Sequence, residues 1–158
     1  MSAWTDGGSV TQAGINYQNR VAAWLAVRLL AEQDASPLWG LPASSTLEFP
    51  RCETEQLVDD IMIGTSDVGH AFIQVKRSLS MDSSEDSALA STISQFVRQF
   101  ITYRGIAGGA RPWERPLDAW RDRLLLIMPH ARVLAERLGA CTEAILGASV
   151  STEKRVFS

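Results

Sequence analysis

Two neighbouring segments of the chain carry polar side chains inside apolar runs. In the run LVDDIMI, Asp59 and Asp60 interrupt the apolar residues at the middle, and in AFIQVKR, Gln74 and Lys76 stand two positions apart. Side chains two positions apart in a strand share a face. If the two segments pair as a hairpin, a carboxylate, an amide oxygen and an ammonium group converge at one edge of a sheet.

These three groups together suit phosphate chemistry. Mg²⁺ prefers oxygen ligands and often takes only one or two carboxylates. A divalent cation lowers the pKa of water so that a nucleophile exists near neutral pH, and a neighbouring lysine stabilises charge that develops on a phosphate. The residues therefore suit phosphodiester hydrolysis. Lysine is also scarce, because 13 of the 15 basic residues are Arg and the only other lysine is Lys154.

Simpler interpretations of the same residues stay open. Lys76 could extend from a strand end into solvent, with Gln74 as an exposed edge residue. Asp59 could cap a turn or pair with a neighbouring arginine. Consecutive strand residues face opposite sides, so only one of Asp59 and Asp60 can take part. Glu48, in the preceding strand, could assist a cation or form an exposed ion pair.

Alternating helix and strand patterns surround these segments. They predict the order α-β-β-β-α-β-α, over residues 15–33, 46–49, 57–63, 70–76, 86–104, 123–129 and 131–147. The sequence SDVG, residues 66–69, suits a hairpin turn, and RLLLIMP is apolar throughout, as in strands buried on both faces. This order predicts a three-layer α/β fold in which helices flank a mixed central sheet.

Apolar residues recur at helical spacing in both long helices. In the first they are Tyr17, Val21, Trp24, Leu25 and Leu29, and in the second Leu89, Ile93, Phe96, Val97, Phe100 and Ile101. This spacing predicts two amphipathic helices. Between the first two strands, Glu53 and Glu55 are expected to be solvated loop residues.

The hairpin resembles a known nuclease motif. Asp60 followed by Ile-Met-Ile, a turn and Ile-Gln-Val-Lys resembles the PD-(D/E)XK pattern, and more closely its Mrr-like QxK variant, in which Gln replaces the second acid. The sequence from Gly14 to Gln18, GINYQ, is similar to the Gly-x-x-aromatic-Glu/Gln start of the first helix in Mrr-like nucleases. The resemblance spans about residues 14–130 and implies a restriction-endonuclease-like core.

The resemblance also implies residue roles. Asp60, Gln74 and the main-chain carbonyl of Val75 would bind Mg²⁺, with Mn²⁺ as a possible substitute, and Lys76 would be the catalytic lysine. Gln18 would reach the metal or its water from the first helix. Asp59 and Glu48 are possible supporting acids. The preference for Asp60 over Asp59 rests on its place immediately before the aliphatic run.

The substrate and the wider setting follow from the same resemblance. The implied substrate is double-stranded DNA, cleaved with low sequence specificity, because Arg77, Arg98 and Arg104 would contact phosphates rather than bases. The domain resembles the nuclease effectors of bacterial anti-phage proteins, in which a C-terminal sensor or NTPase domain follows. Cleavage of both strands needs two sites, so a homo-oligomer is expected. A degenerate module that binds nucleic acid or a partner without cutting is the alternative.

Composition bounds these expectations. With 158 residues and a net charge of −3, the chain fits one domain and argues against a general electrostatic nucleic-acid binder. It has no apolar run long enough to span a membrane and no secretory signal at its start. Cys52 and Cys141 lack metal-ligand spacing and fit a reduced cytoplasmic protein. The expected organisation is a flexible arm (1–13), the nuclease domain (14–150) and the start of a linker (151–158).

Overall fold

Two helices and four strands form within the residues that the structure describes. A computed structural model describes residues 7–35, 39–79, 87–106 and 108–129. Met1–Ile127 is one compact unit and Met128–Ser158 another, and all the elements belong to the first. They are α1 (Gly7–Leu30), β1 (Leu47–Cys52), β2 (Ile61–Thr65), β3 (His70–Val75), α2 (Ala88–Arg104) and β4 (Arg123–Ile127). The predicted α/β class is confirmed.

The four strands form one mixed sheet in the order β1-β2-β3-β4. β2 pairs antiparallel with both β1 and β3, whereas β4 runs parallel to β3 after the chain has passed through α2. The predicted hairpin turn is present, since the Thr65 amide donates to the Gly69 carbonyl at 3.0 Å. The hairpin therefore brings the residues just before β2 beside the end of β3.

Consecutive side chains of β2 and β3 point to opposite sides of the sheet, and both sides are apolar. Each side packs against a different helix. On one face, strand residues contact α1, and on the other they contact α2 and the segment that follows it. The first cluster includes Val21, Leu25, Ile61, Ile63, Ala71 and Ile73, and the second includes Val58, Met62, Phe72, Tyr103 and Trp113. Each fully buried aliphatic or aromatic side chain contributes about 1.5–3 kcal/mol to folding. These two clusters fix the hairpin between the helices.

Gly64 is the one position in β2 where close packing excludes a side chain. It pairs with Phe49 of β1, beside a register shift between Leu47 and Phe49. A Cβ added at Gly64 would collide with the Phe49 ring. The phenyl ring therefore lies directly over the strand backbone.

Several predicted boundaries were wrong for identifiable reasons. α1 begins at Gly7, so residues 7–13 of the expected flexible arm are helical, because each added helical residue gains a hydrogen bond. β1 continues through Pro50 to Cys52, as an edge strand permits. β2 begins only at Ile61, because a side chain of α2, rather than a strand, binds the preceding amides. The predicted helix 131–147 lies outside the described residues.

Most of the apolar stripe predicted on α2 does not face the sheet, although Phe96 packs against the cluster on that side. Four of its members are between 49% and 62% exposed: Ile93, Val97, Phe100 and Ile101. The buried residues of α2 are Thr92, Gln99 and Tyr103. Gln99 Oε1 accepts hydrogen bonds from the Leu57 and Val58 amides at 3.0 and 3.3 Å, and buried amides need such partners. Hydrogen bonding therefore selected the face of α2 that packs.

The prediction that β4 is buried on both faces was also wrong for the described residues. All five β4 residues are only half-buried, since β4 is the edge of the described sheet with β3 as its one neighbour there. Trp24, expected in the α1 stripe, is exposed as well. Neither described helix combines the length and apolarity needed to cross a membrane.

Candidate active site

The open end of the β2–β3 hairpin brings Asp60 and Gln74 into contact. Ile61 pairs with Ile73, and the register continued by one pair sets Asp60 opposite Gln74 on the same face. Gln74 Nε2 donates a hydrogen bond to Asp60 Oδ2, and the Val75 amide donates to the same oxygen at 2.6 Å. The structure therefore groups two of the predicted site residues, Gln74 and Val75, around the carboxylate of a third, Asp60.

Gln74 is buried with half of its amide unpaired. The side chain is 1% exposed, and Oε1 has no hydrogen-bond partner among the described residues. A buried polar atom without a partner costs roughly 1–3 kcal/mol. A half-turn of the amide would present this oxygen to the Asp60 carboxylate, where it could serve as a ligand for a cation.

The surroundings of Asp60 disfavour its negative charge. Burial is the main cause that raises the pKa of Asp60, and the charges of Asp59 and Glu53 add to it. The Val75 amide and the charge of Lys76 act in the opposite direction without reversing the shift. A carboxylate that is incompletely compensated in this way gains from a positive ligand.

Lys76 directly follows β3 at the edge of this group. Its main-chain amide donates to the Ile127 carbonyl at 2.9 Å, which continues the β3–β4 pairing by one residue. Strand alternation places its side chain on the face of Gln74, and it is half-buried. Among the described residues, no carboxylate lies within 4.0 Å of its ammonium group. Lys76 therefore lies beside Asp60 without neutralising it.

Of the predicted supporting residues, the structure brings only Gln18 into contact with Asp60. Gln18 Nε2 donates to the Asp60 main-chain carbonyl at 3.3 Å, so it positions the backbone and does not touch the carboxylate. Asp59 is exposed, and its carbonyl accepts from the Thr54 amide. Glu48 is exposed beside the turn end of β2, away from Asp60.

The predicted DNA-contacting arginines are all exposed. Arg77 follows Lys76 directly, whereas Arg98 and Arg104 lie on α2. Two other arginines, Arg51 and Arg111, have their guanidinium groups 4.8 and 5.7 Å from the centre of the Trp113 ring. These two line a cleft of about 190 Å³ together with Glu53 and Thr54, the residues that pair with Asp60 and Asp59.

Sequence reasoning missed the parts of the site that come from β1 and α2. The Glu53 side chain is exposed, as predicted, but its main-chain amide, just after β1, donates to the Asp60 carbonyl at 3.0 Å. Gln99 anchors the backbone that leads into Asp60. No periodic signal marks either residue, since both contacts depend on strand register and on which face of α2 packs.

The site suits a hard cation by ligand type. Asp60, Gln74 and the Val75 carbonyl supply carboxylate, amide and main-chain oxygens, as Mg²⁺ and Mn²⁺ require. No group of three or more His, Cys, Asp or Glu residues with metal-binding spacing occurs within the described ranges. The fit therefore depends on Gln74, whose unpaired Oε1 is the atom that a metal would need.

Comparison with known proteins adds no relative. No family model matches the chain, and neither the curated proteins nor the solved structures contain a match. The geometry around Asp60 is therefore the main indication of function.

Proposed function

We propose that the chain is a metal-dependent DNA endonuclease domain. One observation carries the proposal: at the open end of the hairpin, Asp60 and the buried Gln74 are in contact, and Gln74 Oε1 has no partner among the described residues. The packing of α1 and α2 on opposite faces of the sheet is compatible with the restriction-endonuclease-like core that the sequence resembles.

Each residue has a distinct role in this proposal. Asp60, Gln74 and the Val75 carbonyl would hold Mg²⁺, which would supply Lewis acidity to activate water toward a phosphodiester. Lys76 stabilises the charge that develops on the phosphate. Gln18 holds the Asp60 backbone through its carbonyl, which keeps the carboxylate oriented toward Gln74.

Arginines around the site would hold the DNA backbone. Arg77, Arg98 and Arg104 remain the predicted phosphate contacts, and Arg51 is added because it lies on the sheet face of Asp60, two positions before Glu53. Phosphate contacts give affinity without sequence information. Weak sequence specificity is therefore expected, with binding that weakens steeply as salt rises.

A plasmid-cleavage assay tests the proposal. Wild-type protein with Mg²⁺ should nick and linearise supercoiled plasmid, and EDTA should stop it. Asp60→Asn and Lys76→Ala should each reduce the rate at least about 100-fold, as expected for loss of a charge-stabilising group. Because two sites are needed to cut both strands, the assay is repeated with the protein fused to a dimerising coiled coil.

Two results would overturn the proposal. One is equal cleavage by wild type and Lys76→Ala, which would indicate a contaminating nuclease. The other is no cleavage by either, even as the forced dimer. Asp59→Asn separates the two adjacent acids: loss of cleavage in that variant with cleavage retained in Asp60→Asn would assign the role to Asp59.

A binding module without cleavage is the second candidate, and one contact favours it. Gln74 Nε2 already donates to Asp60 Oδ2, so the carboxylate has partners without a metal. In that case the protein would bind duplex DNA equally well with Mg²⁺ or EDTA, and Asp60→Asn would not weaken binding.

The biological setting rests on the resemblance alone. Within the proposal, the domain is the cytoplasmic effector of a bacterial anti-phage protein that assembles as a homo-oligomer. A C-terminal sensor or NTPase domain would control that assembly. Sequencing the gene beyond residue 158 checks this part directly.

A further inference from the structure

The β1–β2 pairing sets a second carboxylate opposite Asp60. Cys52 pairs with Ile61, and one position further the Glu53 amide donates to the Asp60 carbonyl at 3.0 Å. The Glu53 side chain is exposed, and its charge is one of the causes that raise the pKa of Asp60. The Glu53 carboxylate is therefore a near neighbour of the Asp60 carboxylate at the open end of the hairpin.

This placement is unfavourable for the protein alone. Like charges directly opposite each other destabilise a strand pair. Within the described ranges, neither Glu53 nor Asp60 has a cationic side chain within 4.0 Å. Glu53 also has a φ of 49°, in the left-handed region that few non-glycine residues adopt. A positive ligand between the carboxylates would remove the repulsion.

Gln74 gives an independent indication of a ligand at the same place. Its side chain is 99% buried, its Nε2 contacts Asp60, and its Oε1 has no described partner. A half-turn of the amide would exchange Oε1 and Nε2, so that an oxygen faced the Asp60 carboxylate. That arrangement is favourable when a cation lies between the oxygens, or when Asp60 is protonated and donates to Oε1.

We propose that Glu53 supplies a second carboxylate to the cation site of Asp60 and Gln74. The inference rests on the metal dependence in the proposed function and deepens it. In the QxK motif, Gln74 stands where other variants of the motif have a second acid, and Glu53 would supply that missing carboxylate. Two carboxylates are within the number that Mg²⁺ ordinarily takes from a protein. The site would thus draw a ligand from the residue that follows β1 as well as from the hairpin.

Metal titration in the absence of DNA tests the inference. Mn²⁺ is titrated calorimetrically into the whole chain as wild type, Glu53→Gln and Glu55→Gln. Glu55 is the matched control, since it is two positions away and its carboxylate pairs with Arg111 at 3.2 Å. Glu53→Gln should weaken Mn²⁺ binding at least about tenfold, whereas Glu55→Gln should leave it within about twofold, because exposed charges are screened.

Stability without metal gives a second readout that activity cannot supply. In EDTA, Glu53→Gln should raise the melting temperature by about 1–3 °C, because a like-charge pair is removed. A ligand role predicts this combination of weaker metal binding and higher metal-free stability. A merely structural role predicts a lower melting temperature.

The outcomes separate this inference from the proposed function. Equal Mn²⁺ affinity in wild type and Glu53→Gln, or equal weakening in Glu55→Gln, overturns the role of Glu53 and leaves the nuclease proposal standing. No Mn²⁺ binding by wild type overturns both. Glu53-dependent binding without plasmid cleavage supports the metal site and overturns only the nuclease.

Discussion

Two aspartates bind the two ends of β3 in the same way but in contrasting surroundings. Asp122 accepts the His70 amide at 2.8 Å at the start of the strand, and Asp60 accepts the Val75 amide at 2.6 Å at its end. Asp122 also receives both terminal nitrogens of Arg115, at 2.6 and 3.0 Å. Asp60 has acidic neighbours instead. The first carboxylate is neutralised within the protein and the second is not.

If Asp60 binds a cation as proposed, the difference separates a structural carboxylate from a ligand carboxylate. The Arg115 guanidinium that pairs with Asp122 also binds the Val68 carbonyl, which ties the loop before β4 to the hairpin turn. The Arg115 guanidinium and the main-chain amides of His70 and Asp118 all donate hydrogen bonds to the Asp122 carboxylate. Around Asp60, the unpaired Gln74 oxygen and the neighbouring Glu53 carboxylate both add negative electrostatic potential, which would favour a bound cation.

The largest expected effect is on the neutralised carboxylate. Asp122→Asn should lower the free energy of unfolding by about 3 kcal/mol, because it leaves the Arg115 charge without its partner in a buried setting. Urea unfolding measures this. The control is Glu55→Gln, whose ion pair with Arg111 is exposed and should cost less than about 1 kcal/mol. Equal losses of unfolding free energy in the two variants would show that the Asp122–Arg115 pair stabilises the protein no more than an exposed ion pair does.

The next effect comes from adding a charge at the open end. Gln74→Glu should lower the metal-free free energy of unfolding by about 2 kcal/mol, since two carboxylates that share a site cannot both ionise freely. Saturating Mn²⁺ should recover this loss and stabilise the variant more than it stabilises the wild type. Urea unfolding in EDTA and in Mn²⁺ gives both values. Stabilisation by EDTA rather than Mn²⁺ would contradict the assignment.

Asp60→Asn should raise the metal-free free energy of unfolding, whereas Asp122→Asn should lower it. Removal of the charge relieves repulsion from Glu53 and Asp59, so the metal-free free energy of unfolding should rise by a few tenths to about 1 kcal/mol. The same urea experiment in EDTA applies. A loss of stability comparable to that of Asp122→Asn would show that Asp60 is a structural anchor rather than a ligand.

The smallest expected effect is a pH dependence at the neutralised end. Burial lowers the pKa of His70, assisted by Arg115 and Arg121 and opposed by Asp122 and Asp67. The unfolded chain therefore binds a proton more readily, and stability should fall as pH drops below the ordinary His value of about 6.5. His70→Gln should reduce the fall in melting temperature between pH 7.5 and 5.5. If the melting temperature of His70→Gln fell with pH as much as that of the wild type, groups other than His70 would cause the pH dependence.

Local pattern predicted the hairpin of β2 and β3 correctly, although not the residue at which β2 begins. The apolar runs and the SDVG turn fixed the pairing of β2 with β3, and this register brought Gln74 beside Asp60 rather than Asp59. Such information lies in a few consecutive residues. The chemistry assigned to Lys76 stays a prediction that only the cleavage assay tests.

Long-range choices could not be predicted in the same way. The position of Glu53 depends on the β1–β2 register and on a left-handed φ at a non-glycine residue. The face of α2 that packs depends on two amides, at Leu57 and Val58, that need an acceptor. Hydrophobic periodicity carries no information on either, and for α2 it indicated the wrong face.

The packing of Phe49 over Gly64 has a consequence for recognising distant relatives. A motif as short as QxK occurs often by chance. A glycine packed under an aromatic ring is a steric constraint, which is independent of the chemistry of that motif. We expect homologues to keep a small residue four positions after the aspartate, together with a ring on the preceding strand. Searching for both features together would distinguish homologues of this chain from sequences that share only the short QxK pattern.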